Sequence, residues 1–221
     1  MQPLAVAAAA TQRDQPARRQ VLGGELADAQ GMTVGQQFEV ALVGLERGAD
    51  VVRAAGVSRS TFYEQFASKE ELFLETYRHG VDVLVTRVAT AVADAPDWRS
   101  ELRAGIRSYL STLADEPVFA RAYLLEVHAA GPAALDARAA ALARFAARYR
   151  TTFAQAHRER PERRKPPAAA LLVLCAGTEQ LVAERLRGGG RPNLKGLEDV
   201  FCDCAESLLN GPADAPPATR T

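Results

Sequence analysis

Residues 54–73, AAGVSRSTFYEQFASKEELF, constrain this chain more than any other stretch. Gly56 follows a short amphipathic run and supplies the left-handed residue on which a helix can end. Ser58 then N-caps the next helix by accepting a bond from one of its orphan amides. Val57 before the cap and Phe62 within the first turns are placed as a hydrophobic staple. Phe62 and Phe66 share one helical face, so Ser60, Thr61 and Glu64 project away from the core, with Tyr63 on the flank. Ser68 caps a further helix, and Glu71, three residues on, completes a capping box. Helix, tight glycine turn and short second helix with small polar residues outward is the helix-turn-helix arrangement, which presents one helix to the DNA major groove.

The same residues resemble the DNA-binding module of the TetR family of bacterial transcriptional regulators. The resemblance is carried by Ala55-Gly56-Val57-Ser58, by Thr61-Phe62-Tyr63 with Phe66, and by Ser68-Lys69-Glu70-Glu71-Leu72-Phe73. It implies an all-α protein with an N-terminal helix-turn-helix domain and a C-terminal helical domain that binds a ligand and dimerises. It places Arg59, Ser60 and Tyr63 where the family reads bases or backbone, and Thr61 and Lys69 where it grips phosphate. For Lys69 the physics agrees. A cation in the first turn of a helix opposes the macrodipole, and beside free backbone amides it makes sense as half of a phosphate clamp. The partners implied are a double-stranded DNA operator, an unidentified small-molecule effector and a second copy of the chain. The mechanism implied is that of a ligand-responsive repressor, whose recognition helices must match groove segments about one helical turn or a multiple apart.

Hydrophobic spacing and breakers set the layout. Residues 1–35 lack sustained periodicity and read as a flexible arm, and 36–76 form the DNA-binding domain. Within it Phe38, Ala41, Leu42 and Leu45 mark a helix over 36–47. Glu46-Arg47-Gly48 then runs almost directly into Ala49-Asp50-Val51, a shorter joint than the family uses. A second reading therefore stays open: a helical small-molecule-binding or dimerising protein whose DNA module is impaired. Residues 77–210 read as the effector-binding and dimerisation domain and 211–221 as a disordered tail. The spacing predicts helices over Ser68 to about Ala93, then 98–114, 118–129, 133–159, 168–187 and about 193–209. A charged, proline-broken loop, Arg158 to Pro167, precedes the fifth of these.

With 48% apolar and 24% charged residues, the chain of 221 residues reads as a cytoplasmic globular protein without a secretory signal. No apolar run reaches the ~18 residues that a membrane span needs. The 27 basic and 27 acidic residues cancel, so DNA binding rests on the motif and on the doubling that a dimer supplies. Cys175, Cys202 and Cys204 have neither disulfide nor zinc spacing. No nucleophile elbow, phosphate loop, HExxH or clustered carboxylates occur, so neither enzyme chemistry nor a cofactor or metal is expected.

In the C-terminal part, Trp98, Tyr109, Phe119, Tyr123, His128 and Phe145 are the candidates to line a pocket between helices. Leu171, Leu172, Leu174, Cys175, Thr178, Leu181, Val182 and Leu186 form a broad apolar face on helix 168–187, with Ala176 and Gly177 allowing close approach. Val200, Phe201, Cys204, Leu208 and Leu209 form another on helix 193–209. Pairing both helices across a two-fold axis predicts a four-helix homodimer interface.

Overall fold

A computed structural model describes residues 68–188 and 192–210. The arm, the recognition helix, the joint before residue 49 and the tail lie outside them. Every regular element among the described residues is helical: α1 (Lys69–Val92), α2 (Trp98–Asp115), α3 (Pro117–Leu124), a 3-10 turn (Glu126–Ala129), α4 (Pro132–Glu159), α5 (Ala168–Arg187), a second 3-10 turn (Lys195–Leu197) and α6 (Glu198–Ser207). The chain divides between Gly80 and Val81 into two compact units. Among the described residues no helix is long and apolar enough to cross a membrane.

Of the first unit the described part is residues 68–80. Ser68 starts α1 as its sequence implies: Glu71 N donates to Ser68 Oγ at 3.1 Å and Leu72 N to the Ser68 carbonyl at 3.2 Å. Phe73 and Tyr77, one turn apart, are buried, with ring centroids 6.1 Å apart. Arg78 pairs with Glu75 on the exposed side.

The second unit is a helical bundle. Asp97 caps α2, accepting from Arg99 N at 2.9 Å and Ser100 N at 3.0 Å, and these bonds, that from Ser100 first, hold its carboxyl below the usual range. Pro117 and Pro132 open α3 and α4 from positions whose amides would have no helical partner anyway. Gly131 makes the turn before α4 at φ +90°, a conformation that favours glycine. The bundle is knit by α4 against α5, α2 against α4 and α6, and α3 against α5. Leu102, Ile106, Leu110, Leu113, Phe119, Phe153, Leu171, Val182 and Phe201 supply its core.

Two predicted helices are interrupted. The stretch 118–129 ends as α-helix at Leu124 and tightens into a 3-10 turn before Gly131. The stretch 193–209 begins with a 3-10 turn, because the Asn193 side chain accepts Gly196 N at 3.2 Å and competes with helical bonding. Arg103 and Arg107 on α2 then grip the acidic first turn of α6. Arg107 holds Glu198 through two bonds, at 3.0 and 2.8 Å, and Arg103 reaches both Glu198 and Asp199. The charged segment before α5 is anchored too. His157 Nδ1 lies 2.8 Å from the Arg163 carbonyl, Arg164 N donates to the Leu209 carbonyl, and the guanidiniums of Arg99 and Arg163 both sit over the Trp98 ring.

Candidate functional site

Five helices of the second unit, with the last two turns of α1, enclose about 650 Å³ of space not filled by protein, its opening included. The cavity follows from residue size along facing helices. α2 presents Gly105 to Val88 and Val92 of α1; a Cβ built on Gly105 would stand 3.4 Å from Val92 Cγ1 and 3.7 Å from Val88 Cγ1. Leu142, Phe145 and Tyr149 of α4 line this space and are only partly buried. Tyr109 meets Phe145 edge-on at 5.6 Å.

Polar groups are few and sit at two levels. At one, Glu101 Oε1 accepts the Thr152 hydroxyl at 2.9 Å, and Arg148 Nη2 lies 3.8 Å from the same oxygen. At the other, Glu179 is 4% exposed, accepting the Tyr123 hydroxyl on Oε1 at 2.8 Å and Arg138 Nη2 on Oε2 at 2.5 Å. Burial pushes the Glu179 carboxyl above its ordinary range, against the pull of Arg138 and Tyr123. Cys175, one turn before Glu179 on the same wall, has its thiol pushed up to about 12, chiefly by burial. Cys202 is on the buried side of α6, with its thiol also raised by burial, while Cys204 is exposed.

Of the six residues expected to line a pocket, Tyr109, Tyr123 and Phe145 do so. The other three stand elsewhere. Trp98 is buried under its two guanidiniums, Phe119 is buried against Tyr123 at 5.5 Å, and His128 is exposed on the 3-10 turn. The aromatic criterion missed Glu101, Arg148, Thr152 and Glu179. For Glu179 a signal existed: spacing from Cys175 and Val182 puts this acid on the buried stripe of α5, where an unpaired charge would be costly.

α5 carries two apolar faces rather than one broad face. Leu171, Cys175, Thr178, Val182 and Leu186 turn inward. Leu172, Val173, Ala176, Gly177 and Leu181 turn outward, with Val173 71% exposed and nothing within 4 Å of a Cβ built on Gly177. On α6, Val200 and Cys204 are exposed while Phe201 is buried, as is Leu209 in the turn after it.

Of the expected DNA contacts, Arg59, Ser60, Thr61 and Tyr63 lie outside the described residues, and Lys69 is the first residue of α1. The family model for bacterial regulatory proteins of the tetR family matches residues 43–76, which contain all five. The chain is 29% identical over 116 residues to the HTH-type transcriptional activator FasR of Mycolicibacterium smegmatis, a match covering 50% of this chain and 53% of FasR, so it spans about half the relative's length. The fatty acid degradation regulator FadR of Bacillus halodurans superposes with a TM-score of 0.65 at 17% identity, over 80% of this chain and 95% of that one. The transcriptional regulator FadR of Bacillus subtilis, solved in complex with stearoyl-CoA, gives 0.66 at 15% identity, over 80% and 97%. The structural likenesses establish a shared all-helical fold, which by itself does not specify a function. Residues 43–76 thus carry the helix-turn-helix match to the tetR family of bacterial regulatory proteins, and the chain shares the fold of these solved regulators.

Proposed function

We propose that this chain is a ligand-responsive repressor that binds a double-stranded operator as a homodimer and leaves it when a small molecule occupies the helical cavity. Residues 36–76 form its DNA-binding domain and 77–210 its effector and dimer domain. One observation carries the reading: a matched helix-turn-helix stretch and a largely apolar cavity with few polar groups occur in one chain, and α1 contributes to both. That helix starts at Lys69, in the matched stretch, and its residues Val88 and Val92 line the cavity. A ligand that moves Val88 and Val92 acts on the helix that carries the phosphate-gripping residue. It shifts operator binding only as far as its affinities for the two arrangements differ. The complex of the Bacillus subtilis regulator with stearoyl-CoA supports a small molecule as effector in this fold. The outward faces of α5 and α6, with Leu172, Val173, Leu181 and Val200 all at least 40% exposed, support the homodimer.

Activation rather than repression is a second reading, favoured by the name of the FasR relative. Selection of bound fragments from genomic DNA, followed by a promoter reporter, tests both the binding and its sign. Arg59→Ala should relax base preference, and Lys69→Ala should weaken all sequences and flatten the salt dependence. Retention of no DNA above background at low salt would end the regulator reading in favour of a ligand-binding protein with an impaired DNA module.

A further inference from the structure

We infer that Gly105 is the seat on which residues 81–92 of α1 close against α2 when no small molecule fills the cavity, and that the closed seating is the one that holds DNA. This deepens the proposed function and rests on it for the link to the operator. The two seatings themselves follow from the helices alone.

Glycine is not the residue that the packing around position 105 calls for. The position lies in the interior of α2, where glycine gives up more backbone freedom than any other residue and is a poorer helix former than alanine. Yet a Cβ built there meets only Val92 Cγ1 at 3.4 Å and Val88 Cγ1 at 3.7 Å, both of them side-chain methyls at ordinary contact distance. Alanine would fit the arrangement described and would strengthen α2. What glycine adds is room for α1 to come nearer. Without a Cβ, the two backbones can approach until Val88 and Val92 rest on α2 itself.

The surroundings suit such a movement. The connection 93–97 is short, so α1 and α2 run as an antiparallel pair. Gly105, Val88 and Val92 all line the cavity, so the gap between the helices is continuous with it. Closure over Gly105 gives the two valines contacts that the gap denies them. Elsewhere α1 is tied to its neighbours by ion pairs, Asp82 with Arg144 at 2.6 Å and Arg87 with Glu116 at 3.8 Å. Asp82, Arg144 and Arg87 all reach the surface, so these pairs can follow a small shift at little cost. The arrangement described, with its cavity, is the open seating. A small molecule in the cavity holds the helices apart and favours that seating by as much as its affinities for the two differ. Since the proposed effector releases the operator, the seating that excludes the effector is the one that binds DNA.

The test is Gly105→Ala in the full chain, followed by two readouts. One is affinity for operator fragments recovered by selection from genomic DNA. The other is fluorescence titration with the apolar dye Nile red, which reports the open cavity. A Cβ at position 105 leaves the open seating intact and obstructs the closed one. Operator binding should therefore weaken about five- to 150-fold, the usual span of a coupling between two sites. Nile red should bind more tightly, although the added methyl narrows the cavity. A methyl that only filled space would leave operator binding alone and weaken the dye. Val92→Ala on the Gly105→Ala background returns the lost room and should bring both values back toward wild type. The inference is overturned if Gly105→Ala leaves either readout unchanged, if it weakens the dye, or if Val92→Ala restores neither value. Where the wild-type chain captures no operator, the regulator reading fails and the dye alone decides the seating: tighter binding in Gly105→Ala keeps it, and unchanged or weaker binding removes it.

Discussion

The Tyr123 hydroxyl donates to Glu179 Oε1 at 2.8 Å, so α3 and α5 are joined by a hydrogen bond to a charge inside the bundle. Arg138 of α4 takes the other oxygen, and three helices meet at one carboxylate. Arg148 of the same helix is held less closely, its Nη2 3.8 Å from Glu101 Oε1.

Breaking this junction on one side should cost far more than replacing it. Glu179→Ala strands Arg138, whose side chain is 24% exposed, and should destabilise the chain by about 3 kcal/mol. Glu179→Leu combined with Arg138→Leu should cost much less, because no buried charge is left unpaired. Urea denaturation of the three proteins decides; equal losses for the single and the double variant would contradict the account.

The same carboxylate gives a pH signature opposite to that of an ordinary surface ion pair. The folded Glu179 value is raised above the unfolded one, so the native state binds the extra proton. Its contribution therefore favours folding at low pH and is lost as pH rises from the usual glutamate range through the raised value. Glu198 works the other way: the bonds from Arg107 lower its value, and its contribution disappears as pH falls through that lowered value. Compared with wild type, Glu179→Gln should lose the first trend and keep the second. Stability of both proteins measured from about pH 2 to about pH 8 checks this, and parallel curves would refute it.

Gly105 should tolerate one methyl group. The nearest atoms to a new Cβ are side-chain carbons at ordinary contact distance, and alanine is the better helix former by up to about 1 kcal/mol. Gly105→Ala should thus raise the melting temperature while narrowing the cavity beside Val88 and Val92. A lower melting temperature would show that α1 and α2 approach too closely there for any side chain.

If the outward face of α5 is the dimer contact, a charge placed on it should separate the copies without unfolding either. Val173→Asp lies on the exposed stripe and removes no contact from the core. Sedimentation should report a monomer with unchanged helical circular dichroism. A variant that still sediments as a dimer would move the interface elsewhere.

The legible parts of the sequence were those fixed by local chemistry. The limits of α5 follow from Pro167 before it and the glycine run after it, and the start of α1 follows from Ser68. The 3-10 turns were not legible, because they depend on one side-chain bond at Asn193 and on the approach to a left-handed Gly131. Residue type gave three of the cavity's aromatic residues but not its polar ends. Trp98 looked like a pocket residue and is instead a stacking platform for Arg99 and for Arg163, the latter far along the chain. Which aromatic side chain faces a void and which meets a neighbouring helix is decided by tertiary packing, which a single helix pattern does not contain.

The three cysteines differ in a way that makes the protein its own reporter. Cys175 and Cys202 are buried, and their raised thiols keep little thiolate near neutral pH, whereas Cys204 is exposed beside Val200 on α6. A thiol-reactive dye offered to the native chain will therefore attach at one position, without any engineered residue. That position lies on the face assigned to self-association, so dye quenching reads assembly, while slow reaction at Cys175 in the cavity wall reads how often the bundle opens.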